Sequence, residues 1–108
     1  MIKILRTQQL YIDLPTPGSA PWLNIIVQYV EMDDNYKPMN VVDRWGTVNC
    51  QVSTVAMNAY PNADPVPVPA GMISGAGIAQ ALTMAAIELI IGKYGGTFEP
   101  STGYIIME

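Results

Sequence analysis

The run from Met72 to Lys93 constrains this chain most: it contains no proline, is rich in Ala, Leu, Ile and Met, and ends at Gly92 and Gly95-Gly96. That composition with a glycine stop predicts a long α-helix. Laid out at 3.6 residues per turn, Ile78, Leu82, Ala85 and Leu89 share one apolar face. Met84, Ile87 and Ile91 fall opposite, among Gln80, Thr83 and Glu88. Even the polar side is therefore half apolar, and a small sheet covers only one side of a helix. The remainder is expected to meet other protein.

A bilayer is the competing way to cover such a helix. Ala70 to Gly92 is long enough to span one, and Gly71, Gly75 and Ala79 repeat small residues at the spacing of close-packed helices. Gln80 and Glu88 would be costly in lipid, however, and the flanks carry little basic or aromatic anchoring. A buried helix with close protein neighbours, and no membrane, is the expectation.

The rest of the chain reads as strands separated by proline. Leu10, Ile12 and Leu14 alternate with Tyr11 and Asp13, which predicts a strand within residues 1–14. Pro15, Pro17 and Pro21 then favour extended or turn geometry without ladder bonds, so residues 1–21 read as an N-terminal arm and linker ahead of a domain at 22–108. From Trp22 to Met32 both faces are apolar, with Ile25, Val27 and Tyr29 against Ile26, Val30 and Met32, as expected of a central strand. Glu31 to Pro38 predicts a polar turn and Asp43-Arg44-Trp45-Gly46 another. Thr47 to Ala56 favours a strand, although residues 52–59 also satisfy helical spacing. Tyr60 to Pro69 alternates proline with small residues, as a stiff polyproline loop does, and Tyr104 to Met107 predicts a closing strand. The expected fold class is α+β: a small, mainly antiparallel sheet of four or five strands with one long helix (72–93) on it and an extended proline-rich arm.

Composition removes most function classes. Histidine is absent and Cys50 is the single cysteine, so the usual neutral-pH base and the ordinary zinc or thiol–imidazole sets are missing. Cys50, alternating within Val48 to Val52, is expected to be buried and inert. Glu31, Asp33 and Asp34 are close enough for carboxylate chemistry, but their turn setting predicts solvated side chains. As a calcium loop the segment fails, because the sixth position from Asp33 is Pro38 and the twelfth is Arg44. Gly75-Ala76-Gly77-Ile78-Ala79-Gln80 lacks the third glycine and the preceding strand of a dinucleotide loop, and Gly92-Lys93-Tyr94 lacks the Ser/Thr and the upstream glycine of a P-loop. Net charge is −4 with five scattered basic residues, which gives no stripe for a phosphate backbone. No enzyme activity, cofactor, metal or nucleic acid is expected.

Charged residues make up only 13% of the chain, about half the usual ~25%. So little hydrated charge suits a surface that meets protein. Trp22 and Trp45 lie beside turns, as core-edge residues or interface anchors do. Leu10, Tyr11, Trp22, Met84, Ile87 and Ile91 are the candidate interface residues. The N-terminus lacks a secretory apolar run, which predicts an intracellular origin. These features lead us to expect a structural subunit of a homo- or hetero-oligomeric assembly, specifically a capsid or tail component of a bacteriophage virion put together in the host cytoplasm. The alternative is a small acidic inhibitor or adaptor that meets one protein partner through residues 31–43.

Overall fold

Trp22–Met32 is apolar on both faces and forms strand β2, the strand flanked on both sides by long partners. Leu23, Ile25 and Val27 point to one face, Ile26, Val30 and Met32 to the other, and all six are buried. It pairs antiparallel with β1 (Ile2–Asp13) and with β3 (Pro38–Gln51). The computed structural model describes residues 1–13, 16–61, 63, 64, 66 and 68–108. After β3 the chain makes two 3-10 turns, Val52–Thr54 and Met57–Ala59, and reaches helix α1 (Gly75–Tyr94). It then returns as β4 (Thr97–Glu99) and β5 (Tyr104–Met107), in an antiparallel sheet of five strands with order β3-β2-β1-β5-β4. The expected α+β class holds.

Ser74 caps α1, its hydroxyl accepting from Gly77 N at 2.8 Å, and Gly95 ends it at φ 80° by donating to Ile91 O at 2.8 Å. The helix lies on one face of the sheet, and the shortest dimension of the molecule is 18 Å, enough for these two layers and no third. Leu5, Leu23, Ile25, Val27, Val48 and Ile105 meet Ala86, Ile87 and Ile90 of α1 in the main core. Ile25 and Ile90 are fully buried, each worth about 1.5–3 kcal/mol. On the other face Ile4, Val30 and Met32 make a smaller cluster, closed by Ile2, Tyr104 and Ile106.

The N-terminal arm is the main correction. Ile2–Asp13 is the middle strand of the sheet, pairing with β2 along nearly its whole length and with β5 at Lys3–Leu5. Thr16–Ser19 only turns the chain into β2, with Ser19 N donating to Thr16 O at 3.1 Å. The turn expected at Asp43–Gly46 is a bulge within β3: Val27 pairs with Gly46 and Tyr29 with Val42, so three residues oppose Gln28, and Arg44 takes φ 50°. Primed hairpin turns and some bulges both place a residue at positive φ, so the sequence signal of the two overlaps. Thr47–Ala56 is strand only as far as Gln51, and residues 52–59 are neither strand nor α-helix. β5 lies inside the sheet, and the edge belongs to β4. The buried side of α1 against the sheet is Ala86, Ile87 and Ile90; of the expected stripe, Leu82, Ala85 and Leu89 pack at its flank, half-buried, and Ile78 is exposed. Leu14, Pro15, Asn62, Pro65 and Pro67, on which the arm and polyproline expectations partly rest, lie outside the described residues.

Candidate interaction surface

The acidic turn is occupied by its own architecture. The Asp33 carboxylate accepts from Asn35 N and Lys37 N, both at 2.9 Å, which closes the β2–β3 hairpin. Glu31 accepts from Asn40 Nδ2 at 3.0 Å, Asp43 accepts from Gln28 Nε2 at 2.7 Å, and Asp34 lies 3.8 Å from the Met1 amine. Gln28, nearly buried, also accepts from Arg6 Nε, so a polar row crosses the bare face of the sheet. Burial first, and the Glu31 charge second, hold the Tyr29 phenol above its usual pKa. Among the described residues no group of three or more His, Cys, Asp or Glu could hold a metal.

Several clefts border α1, two of them of about 300 Å³. One, of about 300 Å³, lies between the helix and the 52–60 segment and includes Cys50, Tyr60, Met84 and Glu88 in its lining. That segment covers the outer side of the helix: Gly77 and Ala81 are buried there, and a Cβ on Gly77 would collide with the Tyr60 carbonyl. Beside the Cys50 thiol and the Glu88 carboxylate the lining adds only the Thr54 and Tyr60 hydroxyls, with no basic residue to make an acid–base pair. The other cleft, also about 300 Å³, runs between β1, the helix and the β4–β5 turn, with Arg6, Thr7, Thr83, Ile87, Thr102 and Tyr104 in its walls.

This second cleft opens into a notch that follows from strand lengths. β5 is four residues long and pairs with β1 only at Lys3–Leu5, so among the described residues no strand pairs the outer edge of Thr7–Asp13. Gln9–Asp13 pairs regularly with β2, past the bulge at Gln8, and Tyr11 and Ile12 are 42% and 38% exposed. Above lies α1. Ala79 and Thr83 precede Ala86, Ile87 and Ile90 by three, four, seven, eight or eleven residues and so share their face. The later residues are buried against the sheet, whereas Ala76, Ala79 and Thr83 are exposed. The core-facing stripe of the helix thus continues past the strands that cover it. The helix is long and apolar enough to cross a membrane by length and composition, with mean hydropathy 1.5, yet 28% of that window is buried within the chain.

The edge of β3 is longer but obstructed. Pro38 starts it, Met39 is an extra residue between the Pro38 and Asn40 pairings, and Asp43–Trp45 form the second bulge. Lys93 Nζ then donates to the Thr47 carbonyl at 2.9 Å. Trp45 stacks on Tyr29 with centroids 5.7 Å apart and meets Tyr94 at 4.8 Å, which ties the bulge to the end of the helix.

The candidate interface residues separate into two groups. Tyr11 and Trp22 share the bare sheet face, where Tyr11 pairs with Asn24 and Trp22 with Asp13, and both are 42% exposed. Leu10 lies on the helix side, half-buried beside Ile25. Met84 lines the first cleft, Ile91 is half-buried, and Ile87 sits in the chain's own core. Thr7, Ala79 and Thr83 were not among the candidates: Thr7 breaks no pattern in β1, and small residues on a helix apolar nearly all round carry no signal of which side is bare. No protein-family model, curated protein or solved structure matches this chain.

Proposed function

We propose that the chain is a structural subunit of a homo- or hetero-oligomeric assembly that acts through protein packing, without catalysis or a cofactor. Within that class the reading is a capsid or tail component of a bacteriophage virion, assembled in the host cytoplasm. The observation that carries the assembly reading is the notch: a stretch of β1 unpaired among the described residues, under an exposed stripe of small helix residues, Ala76, Ala79 and Thr83, the kind of surface that another protein completes. The low charge of the chain supports it. The virion reading rests on the style of the sequence, with its proline- and glycine-rich loops and scarce charge. The acidic adaptor reading loses support, because Glu31, Asp33 and Asp43 already serve hydrogen bonds within the hairpin.

Sedimentation velocity over a concentration series tests the assembly reading, with self-association expected in the micromolar range and rings, tubes or sheets by electron microscopy at higher concentration. A single monomeric species throughout returns the question to a one-partner adaptor.

A further inference from the structure

The geometry points to a second copy of this chain as the occupant of the notch: β1 of one subunit pairs antiparallel with β1 of another across a two-fold axis at Tyr11. This rests on the assembly reading and names its contact surface. In that register Tyr11 opposes Tyr11 of the partner subunit on the bare face. Leu10 opposes the partner's Ile12 on the helix side, where both exposed stripes lie. Gln9 opposes the partner's Asp13.

Self-complementarity singles out a second copy. Thr7–Asp13 carries one charge, Asp13, and the register sets it against an amide that can donate to it. The two Asp13 carboxylates stay four residues apart, about 13 Å and more than a Debye length at physiological salt. The carboxylate oxygen Oδ2 already accepts from Asn24 Nδ2 at 2.9 Å, which leaves Oδ1 for the partner. Pairing ends at Gln9, short of the β4–β5 turn. Paired strands alone bury less than the roughly 1,200–2,000 Å² of a standard interface, so the helix stripes contribute and dissociation falls in the micromolar range.

The test is disulfide trapping in a Cys50→Ala background, beside sedimentation of the unmodified chain. Directly opposed antiparallel residues have Cα atoms about 4.5–5.5 Å apart, within disulfide reach. Tyr11→Cys is therefore expected to give a covalent dimer as the main product of mild oxidation. Gln9→Cys, about 13 Å from its copy, and Val41→Cys on β3 stay monomeric. Tyr11→Lys, with like charges opposed, raises the dimer Kd tenfold or more and leaves thermal unfolding of the monomer unchanged. If the chain self-associates while Tyr11→Cys fails to cross-link and Tyr11→Lys changes nothing, the β1 pairing is overturned and the subunit reading stands. Cross-linking of Gln9→Cys as strong as that of Tyr11→Cys also overturns it. A chain that stays monomeric into the hundred-micromolar range, or that takes up only a strand of another protein, overturns the homomeric contact together with homomeric assembly.

Discussion

Among the described residues β3 and the far half of β1 are both unpaired on one side, and they differ in everything that controls whether such an edge is used. β3 is 14 residues long and begins with proline, carries two bulges and has the Thr47 carbonyl taken by Lys93. These are the devices by which sheet proteins discourage edge pairing. Gln9–Asp13 has no proline, lysine or bulge, and its side chains alternate regularly between the two faces. The longer edge is thus the obstructed one, and the shorter is left open beneath a helix stripe that itself lacks cover. Edge length alone is a poor guide to contact; the sequence along the edge decides.

The largest expected effect comes from removing β1. An arm could be deleted with the domain intact, but β1 holds the β4–β5 hairpin to the β2–β3 hairpin and contributes the buried Ile4 and Leu5. Deletion of residues 1–13 is expected to abolish cooperative unfolding by circular dichroism. A folded, monomeric product would show that β1 is dispensable and that the open edge belongs to a detachable arm after all.

A smaller effect tests how β3 is held. A Cβ on Gly46 would collide with the Tyr94 hydroxyl, so Gly46→Ala must displace the ring that packs on Trp45. The expected loss is about 1–3 kcal/mol by urea unfolding, as for other overpacked sites. Gly75→Ala meets nothing within 4 Å and is the control, neutral or stabilising by up to about 1 kcal/mol. Equal destabilisation by both would remove the aromatic anchor as the reason β3 keeps its bulge.

The strands were not equally legible in the sequence. β2 could be read to the residue because apolar side chains fill both of its faces, a pattern that only an interior strand needs. Ile4 and Leu5 carry the same signature, but it spans too few residues to outweigh the prolines after Asp13, and so the strand read within residues 1–14 is placed on an arm and not inside the sheet. The notch was legible only in pieces. Leu10 and Tyr11 stood out by alternation, whereas the bare stripe of Ala76, Ala79 and Thr83 did not, because a helix apolar nearly all round has no preferred side. What decides the side is the 52–60 segment over Gly77 and Ala81, a tertiary contact that local periodicity does not encode. Asp43–Gly46 failed for a different reason, since bulge and turn ask for the same residues.

The smallest expected effect isolates one obstruction on β3. Lys93→Met keeps the apolar stem of the side chain and removes the donor to the Thr47 carbonyl, along with a cation at the helix C-terminus. Because Lys93 is exposed, the loss is expected near the low end of the usual range, about 0.5 kcal/mol, read as a small shift of the urea midpoint. Its consequence for contact is best measured in a Tyr11→Lys background, where pairing through β1 is already weakened. If the Thr47 carbonyl is what keeps β3 from pairing, light scattering of the double variant should rise slowly at concentrations where Tyr11→Lys alone stays constant. A flat trace would assign the protection to the two bulges, which bend the backbone itself and cannot be removed by trimming one side chain.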